Sequence, residues 1–160
     1  MTMTQHPISP VYDEHSRILI LGSFPSVKSR EERFFYGHPQ NRFWKVLSAV
    51  FERDLPVTVE EKKTLLLDCG VALWDLIASC EITGSADSSI RNVVPNDIHE
   101  ILDCADIQRI FVNGKISEKY YNKYLRAEVG RPAVCLPSTS PANASWSLER
   151  LIEQWHIIKI

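Results

Sequence analysis

Three asparagines fall in polar, turn-forming stretches whose residues could do chemistry. Asn41 closes His38-Pro39-Gln40-Asn41, Asn113 precedes Gly114, and Asn143 lies in Ser138-Thr139-Ser140-Pro141-Ala142-Asn143-Ala144. A carboxamide donates and accepts at once, so it can hold a water or meet a polar ring edge, although it is a poor base. Structural duties compete for the same residues. Asn41 directly precedes an apolar-periodic run and, on the residues alone, reads more strongly as a helix N-cap. Asn113-Gly114 reads as a turn, since Asn tolerates left-handed geometry. Asp75, Asp87 and Asp97 can act as general bases in a rival scheme, but such residues are more often caps, turns or loop charges. His38, beside Pro39, reads as a structural hydrogen-bonding group. The chain shows no convincing Ser–His–Asp order, Walker loop or dinucleotide fingerprint. Its four cysteines, Cys69, Cys80, Cys104 and Cys135, form no CxxC pair. No metal site is therefore expected.

These residues need a scaffold, and the pattern predicts one. Ile18-Leu19-Ile20-Leu21, stopped by Gly22, reads as a buried strand of a parallel sheet. Gly22-Ser23-Phe24-Pro25-Ser26 turns the chain at its carboxyl end, where open α/β sheets bind ligands. A long polar and aromatic loop should run to Asn41. Phe43, Trp44, Leu47, Val50 and Phe51 then have helical spacing. A second helix is expected over 59–68, a short strand over 71–74, a helical turn over 75–80 and a loop over 81–95. Asn96 or Asp97 should cap a helix through Leu102. Further strands are expected at 109–113 and 132–136, with helices at 115–128 and near Leu148, Leu151, Ile152 and Trp155. Residues 1–16 read as an irregular lead-in with Pro7 and Pro10, frayed over 1–4. Residues 157–160 read as a terminal apolar tail, strand or core plug. The alternation predicts an α/β sandwich with a mostly parallel sheet. Loops starting near residues 22, 113 and 137 each follow a strand, so they should converge on one edge as one pocket.

The chain has 160 residues and a net charge of −2. That length fits one domain, 1–160, with a single substantial core. The charge counts mildly against a nucleic-acid partner, although a local basic rim from Lys28, Arg30, Arg33, Arg42, Arg91 and Lys115 would suffice. The cysteines fit a reduced, cytoplasmic protein. No signal-peptide core and no apolar run of about 18 residues occur, so no membrane span is expected.

Three blocks carry a resemblance to the uracil-DNA glycosylase superfamily. His38-Pro39-Gln40-Asn41-Arg42-Phe43-Trp44-Lys45 is very like the segment after the first motif of mismatch-specific uracil-DNA glycosylases. Gly22-Ser23-Phe24-Pro25-Ser26 looks more like the deoxyinosine (hypoxanthine) DNA glycosylase group. Phe111-Val112-Asn113-Gly114-Lys115 and Ser138 to Ala144 agree with that group.

The resemblance implies a uracil-DNA glycosylase-like fold: a three-layer α/β sandwich with a central, mostly parallel four-stranded sheet flanked by helices. It implies a monomeric, monofunctional DNA glycosylase with no cofactor or metal, acting on DNA that contains deaminated bases. Such an enzyme flips the base out of the stack. It implies that Asn41 positions the catalytic water, with Ser23 a second catalytic candidate. Mismatch-specific relatives carry an asparagine where this chain has Ser23, which shifts weight from uracil to hypoxanthine. Tyr36 aligns with the aromatic on which the flipped base stacks, Asn113 with the base reader, and Gly22 and Phe24 with the base pocket. Pro25, Ser26, Lys115, Ser140, Pro141, Ala142, Asn143 and Ala144 are implied to contact DNA. Many relatives have Asn or His before the proline of the last loop, where this chain has Ser140. A uracil or mismatch glycosylase and a non-catalytic nucleic-acid-binding α/β module are the alternative readings.

Overall fold

The computed structural model describes residues 3–159. Its centre is β2 (Ile18–Gly22), buried along its whole length. β3 (Val71–Asp75) pairs with it on one side and β6 (Arg109–Asn113) on the other, both parallel. β7 (Val134–Leu136) extends the sheet beyond β6, giving the order β3-β2-β6-β7. A strand covered on both faces must be apolar on both, so Ile18 to Leu21 read as an unbroken run rather than an alternating one. The register sets Gly22 beside Asp75 and Asn113 beside Leu136. The functional loops therefore leave from one edge of the sheet.

Helices flank that sheet. α2 (Phe43–Val50) buries Phe43, Trp44, Val46, Leu47 and Val50. α3 (Val59–Asp68) begins with a capping box between Thr58 and Glu61. α7 (Leu148–Trp155) is capped by Ser147 and packs against α2 through the edge-on rings of Trp155 and Phe43. Ile158, in the short turn after α7, is buried in the core, while Ile160 lies outside the described residues. The helix expected over 115–128 is α5 (Lys115–Tyr120), a wide π turn at Tyr121–Leu125 and α6 (Arg126–Val129).

Several expectations are corrected. The lead-in is not wholly irregular: β1 (Thr4–Gln5) pairs antiparallel with β4 (Ile77–Glu81), and Val11 bridges Leu73. Fraying was expected over 1–4, but Thr4 is in a strand, and Met1 and Thr2 lie outside the described residues. The expected helical turn over 75–80 is strand β4, and the loop over 81–95 ends in β5 (Arg91–Pro95), antiparallel to β4. β5 is mostly exposed, so no apolar alternation marks it. The stretch from Gly22 to Asn41 contains a short helix, α1 (Val27–Glu32), capped by Ser26. Asn96 caps nothing. Its Nδ2 donates to Asp75 O at 2.9 Å, whereas Asp97 Oδ1 accepts the His99 N–H at 3.0 Å at the start of α4 (His99–Cys104), although the formal cap position is Ile98.

Candidate active site

A cavity of about 300 Å³ opens at the carboxyl edge of the parallel sheet. That is the lower end of the usual size for small-molecule pockets. Gly22, Ser23, Phe24, Pro25, Ser26, Tyr36, Asn41, Asn113, Ser140, Pro141 and Ala142 all line it. Lys115, Asn143 and Ala144 do not. Lys115 is exposed on the first turn of α5, and Ala144 is exposed on the last loop.

The floor is packed against a carboxylate. A Cβ on Gly22 would collide with Asp75 Oδ1 and come within 3.0 Å of Tyr36 Oη, so only glycine lets the two groups approach the strand end. Asp75 Oδ2 meets His6 Nε2 at 2.8 Å, with both side chains buried. Ile8 N–H donates to His6 Nδ1 at 3.2 Å. The ring proton therefore sits on Nε2 and points at Asp75. Asp75 was weighed as a rival general base, but His6 had no part in the expected site. Its only sequence signal is a histidine beside Pro7, in a segment that becomes ordered by pairing β1 with β4.

Asn41 serves α2 while facing the cavity. Its Oδ1 accepts the Phe43 N–H at 3.0 Å, although the formal cap position is Arg42. An amide oxygen has two lone pairs, so one remains, and Nδ2 has no protein acceptor among the described bonds. Next to it, Tyr36 has a left-handed backbone (φ 53°) and lies stacked on Phe43, with ring centroids 4.1 Å apart. Its ring keeps some surface toward the cavity, while its hydroxyl end is enclosed by protein. That enclosure, with Asp75 and Asp87 nearby, pushes the Tyr36 phenol well above its usual range, so it keeps its proton.

Asn113 is held by three bonds. Its Nδ2 donates to Tyr36 Oη at 3.1 Å and to Thr139 Oγ1 at 3.0 Å, and its Oδ1 accepts the Thr139 N–H at 3.1 Å. Both donor hydrogens are thus engaged within the protein, and one lone pair of Oδ1 remains for a ligand. Buried Thr139 is a site residue that sequence reasoning missed; its neighbour Pro141 carried the motif instead.

The last loop is clamped to the Asn41 segment. Arg42 N–H donates to Thr139 O at 3.1 Å. The Arg42 guanidinium donates to Ser140 O, Asn143 O and Trp146 O. Arg42 was expected on a basic rim, and it is a half-buried strut instead. Asn143 folds its own loop by donating to Ser138 O at 3.0 Å.

Also in the cavity lining, Ser23 Oγ donates to Asp87 Oδ1 at 3.2 Å. Ser26 Oγ accepts the Ser29 N–H and donates to Ser29 Oγ, which in turn accepts the Gly37 N–H at 2.9 Å. These serines fold the turn tightly around α1. Asp97, the third rival base, lies elsewhere, paired with His99 at 2.7 Å. Asp97, His99 and Glu128 bring ligand atoms within 4.8 Å of one another. None of the three lines the cavity.

A family model described as the uracil DNA glycosylase superfamily matches residues 9–160. A protein of Methanosarcina barkeri named hypoxanthine DNA glycosylase is 33% identical over 143 residues, 88% of this chain and 89% of the relative. One of Methanosarcina acetivorans with the same name is 32% identical over 158 residues, 98% of each chain. A solution NMR structure from Methanosarcina acetivorans, provisionally described as a uracil DNA glycosylase, superposes with a TM-score of 0.82. It has 30% identity and covers 98% of this chain and 96% of its own.

Proposed function

This chain belongs to the uracil DNA glycosylase superfamily, and on that premise we propose that it is a monofunctional DNA glycosylase releasing hypoxanthine from deoxyinosine. The observation that carries the reading is Asn41 on the wall of the same cavity as Tyr36 and Asn113. The names of the Methanosarcina relatives support hypoxanthine as the base.

The chemistry follows from what these groups can do. The base leaves the stack, which costs a few kcal/mol and less for a mispaired base. In the cavity it meets the Tyr36 ring and the edge of Asn113. Asn41 keeps one oxygen lone pair and its amine hydrogens, enough to orient a water toward C1′ of the sugar. The water oxygen bonds to C1′ and gives up one proton, the C1′–N bond breaks with its electron pair staying on the base, and the base takes up one proton. An abasic site remains. A lyase step would need an amine at the sugar, and among the described residues no lysine lines the cavity. The loop from Ser138 to Ala144, held by Arg42, takes the part of the superfamily loop that presses into the DNA minor groove. The protein acts as a monomer in this reading.

The test is base release from duplexes carrying one inosine, one U·G or one T·G pair. Hypoxanthine release, faster than uracil and thymine release, is the expected result. Retention of duplex without any abasic site would favour a non-catalytic binding module. Uracil leaving fastest would assign the chain to another branch of the superfamily.

A further inference from the structure

Two carboxylates enter the cavity, and the reaction above uses neither. Asp75 is already engaged by His6 and buried. Asp87 is different. It begins a single 3-10 turn, Asp87–Ser89, in the segment between β4 and β5. That segment is fastened over the first functional turn at three points. Ser23 Oγ donates to Asp87 Oδ1, Val27 N–H donates to Ser85 Oγ at 2.9 Å, and the Arg30 guanidinium donates to Gly84 O. The carboxylate is thus held at the cavity rather than swinging on a free loop. Only the Ser23 bond engages it among the described residues.

We propose that Asp87 is a catalytic residue of the glycosylase reaction: it takes the proton of the water that Asn41 orients, and its negative charge faces the positive charge that grows on the sugar. This rests on the glycosylase reading. As the water oxygen bonds to C1′ and the C1′–N pair leaves with the base, one water proton passes to Asp87. The base anion takes a proton from solvent, and Asp87 later returns its own. Asn41 supplies orientation but is a poor base, so the two groups divide the work. A carboxylate beside an oxocarbenium-like sugar stabilises the transition state more than the neutral ground state. A carboxylate at a DNA-binding cleft repels phosphates and so adds nothing to affinity. That combination is awkward for a binding module and suits a catalyst.

The environment tunes the group in the useful direction. Asp87 is an exposed residue, but its carboxylate lies at a cleft that strips it of part of its water. This desolvation raises its pKa, the Ser23 bond opposes the rise, and the nearby Asp75 charge adds to it. Tyr36, Tyr120 and Cys80 also feel its charge, and His38 lines the same cavity.

A base must be deprotonated, so the rate should fall as pH drops through the Asp87 pKa. The acid limb should lie above the ordinary value of an aspartate, in the direction of the shift. The test is single-turnover base release from an inosine duplex against pH, with duplex affinity measured in parallel, for wild type, Asp87→Asn, Asp87→Glu and His38→Gln. Asp87→Asn should lower the plateau rate on the order of 10²-fold or more and abolish the acid limb. It should bind duplex as well as wild type or better. Asp87→Glu should recover part of the rate together with the limb, and His38→Gln should keep the limb. Wild-type-like rates in Asp87→Asn, an intact acid limb there, or loss of the limb in His38→Gln alone would overturn the proposal. A wild-type protein that releases no base would overturn the glycosylase reading and this inference with it.

Discussion

Asn41 joins a structural duty to the chemical one proposed for it. Its oxygen caps α2 at Phe43 while its amide faces the cavity. Replacing it with Ala should cost about 1 kcal/mol of stability from the lost cap. Asn41→Ser, which keeps a capping oxygen, should recover most of that in thermal melts. Gly22 is stricter. A methyl there meets Asp75 Oδ1 and Tyr36 Oη, so Gly22→Ala should destabilise by about 1–3 kcal/mol through overpacking. Denaturant unfolding would show it, and a melting curve equal to wild type would contradict the packing described. His6→Ala leaves Asp75 without its buried partner and should destabilise by about 1–3 kcal/mol. The sequence points to Asn41, Tyr36 and Asn113 because they occupy recognisable blocks. It hides the His6–Asp75 pair, whose members are 69 residues apart. Nothing local marks a contact created by pairing two distant strands.

Elements differed in how legibly the sequence wrote them. β2 and β6 were plain because a strand sandwiched between helical layers is apolar on both faces. β4 and β5 were not. They form a separate antiparallel sheet with β1, and β5 shows most of its side chains to solvent. This weakly marked region carries to the cavity Asp87, which the sequence offered only as a rival general base, and Ser85. The clamp between the start of α2 and the last loop is the element-level device that holds that loop beside Asn41. Arg42→Ala removes the guanidinium bonds to three carbonyls. Residues 138–147 should then exchange amide hydrogens faster, and base release should slow while the parallel sheet stays protected. Unchanged exchange in that loop would show that Arg42 is not its anchor.

For the whole molecule, a net charge of −2 and a DNA substrate must be reconciled. The expected basic rim loses Arg42 to the interior, but Lys115 stays exposed on the first turn of α5, next to the cavity residue Asn113. Lys115→Ala should weaken duplex binding uniformly across sequences. It should reduce the dependence of log affinity on log salt by about 0.9, the share of one phosphate contact. An unchanged salt slope would place the phosphate path elsewhere. Among the described residues no helix is long and apolar enough to cross a membrane.

The central claim is that Asn41 makes this fold a hypoxanthine-releasing enzyme. It is tested most directly by single-turnover release of free hypoxanthine from an inosine duplex, enzyme in excess, with wild type and Asn41→Ala side by side. Wild type should release the base. Asn41→Ala should be slower on the order of 10²-fold or more while folding and binding the duplex normally. Equal rates for the two, or duplex bound by wild type with no base released, would contradict the account.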